Sequence, residues 1–203
     1  MAGIACAAAA LGVAAWLFVD ARDTAPPEIG GYVLAKPRPL PAVDLVDEHG
    51  APFRAEDFAG HWSFLYFGYT YCPDVCPLTL VELAALRKQL AEERVAARTE
   101  YYFVSVDPKR DTPPRLLEYV AYFDPEMRGL TGSPEMLAEL AQATETVFDI
   151  PEEDGDNYLV SHSSNVVLLD PNGRVHAVFT PPHDPATLAD DFTKVLAGYG
   201  HPP

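Results

Sequence analysis

The chain has 203 residues, and 30 Asp and Glu against 14 Lys and Arg give it a formal net charge of −16. Such a surface repels phosphate groups, which argues against nucleic acid and anionic lipid headgroups as partners. A hydrophobic fraction of 48% and an aromatic fraction of 11% indicate one folded domain, large enough to bury a core without disulfide staples.

The chain begins with an apolar run. Residues 2–19 carry no charge, and this length just suffices for a membrane-spanning helix, which needs about 17–20 residues. No Lys or Arg precedes the run and no convincing small-x-small cleavage site follows it, so an uncleaved transmembrane anchor at residues 1–20 is favoured over a cleaved signal peptide. Residues 21–41 are rich in Pro and Gly and are predicted to be a semi-stiff linker. The folded domain is then residues 42–203.

Strand and helix patterns alternate along the domain. In chain order they predict a hairpin at 43–58, a buried strand at 62–67, a helix opened by Pro77, a strand at 101–106, helices at 113–123 and 133–144, a strand at 165–169, its hairpin partner at 174–179, and a last helix from Pro185 to about Gly198. This order predicts an α/β fold with a mixed central sheet flanked by helices. A Cys pair at the junction of the first central strand and its helix is the position of the redox site in thioredoxin-like folds.

Two of the three cysteines lie close together, Cys72 and Cys76, while Cys6 falls in the apolar run. A lone close pair is more often redox-active or metal-binding than structural. Pro77 fits the first helical position, which predicts Cys76 at or near the N-cap. The positive end of the helix dipole lowers thiol pKa values. Thiolates both attack disulfides and bind soft metals, so this local chemistry does not choose between the two functions.

A metal site needs further ligands. Structural zinc is disfavoured because it takes four, and no second Cys or His pair is present. Two thiolates with one imidazole suit Cu(I), and extra donors could also hold Cu(II). Among the histidines, position slightly favours His162, which lies in a polar loop entering the third strand. His49 and His201 are predicted to be solvated, and His183 to be a helix cap or a surface residue.

Four segments, in this order, resemble the Sco/SenC copper proteins of cytochrome oxidase assembly, over about residues 40 to 200. They are Phe-Gly-Tyr-Thr-Tyr-Cys-Pro-Asp-Val-Cys-Pro at 67–77, Ser-Val-Asp-Pro-Lys-Arg-Asp-Thr-Pro at 105–113, Gly-Leu-Thr-Gly at 129–132, and His-Ser-Ser-Asn-Val-Val-Leu-Leu-Asp-Pro-Asn-Gly-Arg at 162–174. The resemblance implies a thioredoxin-like fold, with copper held by Cys72, Cys76 and His162. It also implies that the two cysteines cycle between dithiol and disulfide. One departure is Ser161, where many members of the family have Asp.

The function implied by this resemblance is the maturation of the binuclear copper site in cytochrome c oxidase subunit II. The protein would deliver copper to that site, keep its cysteines reduced, or do both. It would be mainly a metallochaperone, with possible thiol–disulfide oxidoreductase activity. Its other partners would be copper chaperones or thioredoxin-like reductants. A single-pass anchor in the plasma (inner) membrane would hold the domain in the periplasm.

Two other functions can be weighed against this one. A general extracytoplasmic thiol–disulfide reductase would need only Cys72, Cys76 and an electron donor. A peroxidase of this fold would use one activated cysteine in an Arg/Thr environment, which the pair with a distant histidine does not match. Three residues, rather than two, separate the cysteines, which favours copper over the usual oxidoreductase spacing.

Overall fold

The computed structural model describes residues 26–92, 98–151, 155 and 158–199. The predicted anchor at residues 1–20 lies outside this part of the chain. No helix of the described residues combines the length and the apolar composition needed to cross a membrane.

The described elements form one large sheet, a two-stranded ribbon and four helices longer than two turns, together with a 3-10 helix at Ala55–Phe58. The strands are β1 (Gly31–Pro39), β2 (Asp44–Asp47), β3 (Pro52–Arg54), β4 (Trp62–Gly68), β5 (Thr99–Ser105), β6 (Arg128–Gly132), β7 (Phe148–Asp149), β8 (Ser161–His162), β9 (Val166–Leu169) and β10 (Arg174–Phe179). The helices are α1 (Val75–Glu92), α2 (Pro113–Phe123), α3 (Pro134–Ala143) and α4 (Pro185–Tyr199).

The large sheet has eight strands in the order β1-β10-β9-β4-β5-β6-β2-β3, and β7 pairs with β8 apart from it. Strands β4, β5 and β6 run parallel, and every other neighbouring pair is antiparallel. All seven residues of β4 are buried. Because alternate side chains point to opposite faces, both faces of the sheet are covered at β4. The predicted mixed α/β sheet flanked by helices is therefore confirmed.

Three loops meet at one edge of this sheet. Gly68 at the end of β4 pairs with Ser105 at the end of β5. On the other side of β4, Tyr66 pairs with Val166, the first residue of β9. We call this end of the three strands the site edge. The loop after β4 carries Cys72, the loop after β5 spans residues 106–112, and the chain enters β9 from His162.

Helix α1 starts at Val75, so Cys76 is its second residue rather than its N-cap and Pro77 its third. Proline is still tolerated there because the first N–H groups of a helix have no intrahelical partner. The predicted helix is confirmed, and its buried face carries four leucines: Leu80, Leu83, Leu86 and Leu90.

The second half of the predicted linker belongs to the sheet. Residues 31–39 form β1, which pairs antiparallel with β10 from Gly31↔Phe179 to Pro39↔Arg174. Proline is compatible with an edge strand, where an N–H can be spared. Gly31 has φ +153°, and a Cβ there would lie 2.0 Å from the carbonyl oxygen of Val178, so only glycine fits. The folded domain thus begins near residue 30 and not at residue 42.

Truncation tests the place of β1. A chain beginning at residue 26 keeps the whole described sheet, whereas one beginning at residue 42 loses β1 and exposes the edge of β10. Val33 and Leu34 pack partly buried against the core, and full burial of such side chains contributes about 1.5–3 kcal/mol each. We expect the shorter chain to lose at least about 2 kcal/mol of unfolding free energy. Urea unfolding followed by circular dichroism measures this, and equal midpoints for the two chains would contradict the assignment.

Candidate metal centre

The fold brings together the three side chains that the sequence singles out. The Sγ of Cys76 lies 3.2 Å from the Nε2 of His162, and the donor atoms of Cys72, Cys76 and His162 all lie within 4.8 Å of one another. Both thiols are free. Within the described part of the chain, this is the one cluster of three or more Cys, His, Asp or Glu donors with such spacing.

The loop between β4 and α1 sets the positions of the two sulfurs. The N–H of Cys72 donates to the carbonyl oxygen of Tyr69 at 3.1 Å, and the N–H of Cys76 donates to the Sγ of Cys72 at 3.4 Å. Cys76 is fully buried and Cys72 is 9% exposed. Cys72 is therefore the more accessible of the two thiols.

The pKa values of the two thiols are shifted in opposite directions. The Cys72 sulfur interacts with the Cys76 side chain and accepts from the N–H groups of Asp74 and Cys76. These interactions outweigh burial and lower the pKa of Cys72 to about 4. The same contact with Cys72, together with burial, raises the pKa of Cys76. The reduced pair thus holds one thiolate, on Cys72, and one proton, on Cys76.

His162 presents Nε2 to the thiols because its other nitrogen is engaged. Its Nδ1 lies 3.0 Å from the carbonyl oxygen of Ser163, which can only accept, so Nδ1 carries the hydrogen. This tautomer points the Nε2 lone pair at the Cys76 sulfur, 3.2 Å away. A metal ion would take that lone pair once the thiol has given up its hydrogen, the usual arrangement of a histidine ligand. In turn, the N–H of Ser163 donates to the carbonyl oxygen of Val147 at 2.8 Å.

The prediction that His183 is a cap or a surface residue is wrong. Its side chain is buried, and its Nε2 donates to the carbonyl oxygen of Ser164 at 2.5 Å. Burial lowers the pKa of His183 and keeps the ring neutral. His183 therefore supports the backbone two residues beyond His162. By contrast, His49 is exposed, as predicted.

Two tyrosines and a glycine enclose the site. The rings of Tyr66 and Tyr69 stand edge-on to the His162 ring at centroid distances of 6.1 Å and 6.0 Å. The Tyr66 hydroxyl is buried beside the side chains of Cys76 and Thr79. A Cβ on Gly68 would lie 2.7 Å from the Sγ of Cys76. No local sequence pattern marks Tyr66 and Gly68 as site residues, because only the three-dimensional contact does so.

Asp111 connects two of the loops at the site edge. Its carboxylate is fully buried and accepts from the Thr70 N–H at 2.8 Å, the Thr70 hydroxyl at 2.6 Å and the Ser105 hydroxyl at 2.6 Å. These bonds tie the loop after β5 to the start of the loop that carries Cys72. Burial raises the pKa of Asp111, although the hydrogen bonds oppose it.

Ser161, the departure from the family pattern, lies opposite Asp149 in the β7–β8 ribbon. Directly opposite residues of an antiparallel pair point to the same face. A carboxylate therefore borders this face from the neighbouring strand, in place of one at position 161 itself.

This donor set fits copper better than structural zinc. Three donors in a half-enclosed site fall short of the four that structural zinc takes. Thiolates and a neutral imidazole are the ligands that Cu(I) prefers. Cys72, Cys76 and His162 would hold such an ion, and Gly68 leaves the room that the Cys76 sulfur needs.

Comparison with known proteins identifies the family. The SCO1/SenC family model matches residues 38–197 of the chain. This protein belongs to the SCO1/SenC family. Protein SCO1 homolog 1, mitochondrial, of Arabidopsis thaliana is 36% identical over 155 residues, which are 76% of this chain and 46% of that one. The chain thus spans about half the length of that relative.

Solved Sco structures share the fold and hold the metal. The crystal structure of Arabidopsis thaliana ScoI with copper bound superposes with a TM-score of 0.73 and 34% identity, covering 78% of this chain and 98% of that one. Yeast Sco1 with copper bound gives a TM-score of 0.74 and 30% identity, covering 80% and 91%. The predicted family is confirmed. The copper-bound Sco structures and the Cys-Cys-His group of this chain together support the predicted cofactor, copper.

The pKa of Cys72 predicts an unusual pH profile for alkylation. With a pKa of about 4 the thiolate is fully formed above about pH 5. The rate of Cys72 alkylation by iodoacetamide should therefore stay nearly flat from pH 6 to pH 8. An ordinary thiol, with a pKa near 8.5, would gain about two orders of magnitude over that range. Mass spectrometry of the reduced, metal-free protein measures the rate, and an ordinary profile would contradict the proton assignment.

Gly68→Ala tests the space left for Cys76. The added Cβ would also lie 2.8 Å from a ring carbon of Phe103, so the sulfur must move out of the cluster. We expect Cu(I) affinity to fall by about tenfold or more, as for other changes that displace a ligand. Gly198→Ala, whose Cβ would meet nothing closer than 3.8 Å, is the control. Unchanged affinity in both variants, measured by anaerobic chelator competition, would exclude this role of Gly68.

Proposed function

We propose that this protein is a membrane-anchored copper-binding assembly factor for cytochrome c oxidase. It delivers copper to the binuclear copper site of subunit II, keeps the cysteines of that site reduced, or does both. The observation that carries the proposal is the cluster of two free thiols and one imidazole within 4.8 Å. Membership in the SCO1/SenC family supports the assembly role.

Cys72, Cys76 and His162 are proposed as the copper ligands. Cys72 supplies a thiolate that is already formed, and Cys76 gives up its proton when the metal binds. His162 supplies the lone pair of Nε2. A soft donor set of three favours Cu(I), and an added water or partner ligand would accommodate Cu(II).

The same thiols support a redox role. Cys72 is the accessible thiolate of the pair, so it attacks a partner disulfide, and Cys76 then displaces the mixed disulfide. This step oxidises the pair by two electrons, closes a Cys72–Cys76 disulfide and leaves the partner with two thiols. Copper and the disulfide exclude one another because both occupy the same sulfurs.

The alternative is a general extracytoplasmic thiol–disulfide reductase. It needs the acidic Cys72 and the buried resolving Cys76, and it needs nothing from His162. The position of the His162 Nε2 at 3.2 Å from the Cys76 sulfur is the observation that favours copper. A periplasmic domain held at the plasma (inner) membrane by residues 1–20 fits either function, since both act on partners outside the cytoplasm.

His162→Ala separates the two functions. In a reduced, anaerobic chain beginning at residue 26, the wild type should bind about one copper per chain. His162→Ala should weaken Cu(I) binding by more than about tenfold, since loss of a ligand costs more than loss of its support. Its rate of reducing a model disulfide should stay within about twofold, because the reaction needs only the thiols.

The exposed His49→Ala is the control and should leave both properties unchanged. If His162→Ala binds copper as tightly as the wild type, the copper site is refuted and the reductase is favoured. If disulfide reduction is lost along with copper binding, His162 serves the thiol chemistry as well.

A further inference from the structure

Arg110 lies where the loops of the site edge meet. Its side chain is 6% exposed. Its Nε donates to Oδ2 of Asp107 at 2.5 Å, within the loop after β5. Its Nη1 donates to the carbonyl oxygen of Tyr158 at 2.9 Å, on the segment that leads to His162. One guanidinium thus joins two segments that are 48 residues apart.

Tyr158 is held at three points by Arg110 and Asp107. The guanidinium carbon of Arg110 lies 3.6 Å from the centroid of the Tyr158 ring. The Tyr158 hydroxyl donates to Oδ1 of Asp107 at 2.6 Å. Its carbonyl oxygen, ring and hydroxyl are therefore all fixed by the loop after β5. Only three residues separate Tyr158 from His162, so its place limits where the imidazole can lie.

The same guanidinium contacts the loop that carries the thiols. It faces the rings of Tyr69 and Tyr71 at 5.5 Å and 4.9 Å. Tyr69 both touches the His162 ring and accepts the Cys72 N–H. Arg110 therefore contacts the surroundings of the imidazole and of the thiols at once. This combination requires a planar fork that stacks and donates on two edges, which Lys does not offer.

The strand of His162 is too short to set its own position. The pairing of β7 with β8 has two residue pairs, Phe148↔His162 and Asp149↔Ser161. A ribbon of this length is marginal by itself. We propose that Arg110 is a positioning residue for His162, acting through Tyr158 and Tyr69 to keep the imidazole beside the thiols. The inference rests on the proposed function in one respect, that His162 is a copper ligand.

The competing explanation is that the buried pair of Arg110 and Asp107 stabilises the fold alone. Breaking such a pair leaves an uncompensated charge and destabilises a protein wherever it occurs. Arg110→Lys keeps the charge and removes the fork. Arg87→Lys is the control. Arg87 lies on α1, eleven residues beyond Cys76, and its Nε donates to Oδ2 of Asp124 at 2.7 Å.

The first measurement uses no copper. In the full, reduced, metal-free chain in detergent, long-range ¹H–¹⁵N spectra of labelled histidine report the ring of His162. The wild type should show a hydrogen fixed on Nδ1 and shifts displaced by the rings of Tyr66 and Tyr69. Arg110→Lys should move these signals toward those of free histidine, and Arg87→Lys should not. Unmoved His162 signals in Arg110→Lys would overturn the inference.

The second measurement is a double-mutant cycle on Cu(I) affinity in the same full chain. Arg110→Lys should weaken binding by about tenfold, as loss of support for a ligand does. In a His162→Ala background the same change should cost less than about twofold, since no imidazole is left to position. Equal losses in the two backgrounds would assign Arg110 to the fold alone.

The two measurements separate the possible failures. If even the wild type binds no copper, the proposed function fails, while the histidine spectrum still decides the role of Arg110. If Arg110→Lys does not fold by circular dichroism, Tyr158→Phe replaces it. That variant removes only the bond to Asp107 and should shift the His162 signals in the same direction by a smaller amount. Signals unchanged in Tyr158→Phe would then overturn the inference.

Discussion

The antiparallel pairing of β9 with β4, beside the parallel pairing of β4 with β5, governs the rest of this structure. Because β9 runs against β4, the start of one strand lies at the end of the other. Because β5 runs with β4, its end lies there too. Thiols and imidazole that are 86 residues apart along the chain thus meet at 3.2 Å. The loop after β5 provides groups that hold the thiol loop and the segment of the imidazole. A change in either strand pairing would separate the thiols from the imidazole.

The two buried carboxylates at the site edge, Asp107 and Asp111, have nearby hydrogen-bond or ion-pair partners. Asp111 is satisfied by hydroxyl and N–H donors, and Asp107 by Arg110 and Tyr158. Both carboxylates are buried, where an unpaired charge would be costly. The shifted pKa values of the two thiols follow from their contact with each other, from burial and from the N–H groups at the start of α1.

Local sequence patterns predicted the elements that do not depend on pairing with a distant segment. The helix at 113–123 and the strand at 174–179 have the predicted bounds. Strand β1 was missed because its Pro and Gly content is typical of a linker, and only pairing with β10 makes it a strand. Strand β6 was missed because two of its five residues are glycine. In both cases a distant partner decided the structure, and a local pattern does not contain that information.

The residues of the site also fall into those that a local pattern marks and those that only the fold brings together. The Cys pair is local and was visible in the sequence. His162 was favoured only slightly by position, and the family resemblance singled it out. The contact of Arg110 with Tyr158 joins residues 48 positions apart, and no motif marks it. That the three residues lie together is a property of the fold, whereas their role as copper ligands stays a prediction.

Strand β1 also sets the length of the connection between the domain and the proposed anchor. Gly31, its first residue, lies level with Phe179, Val166 and Tyr66 across the sheet. The chain therefore enters the domain at the site edge, three strand spacings, or about 14 Å, from β4. An anchor in residues 1–20 would leave residues 21–30 as the connection, which reach about 35 Å when fully extended, against about 70 Å for a linker ending at residue 41. The shorter connection would place the site edge at the end of the domain nearest the proposed anchor.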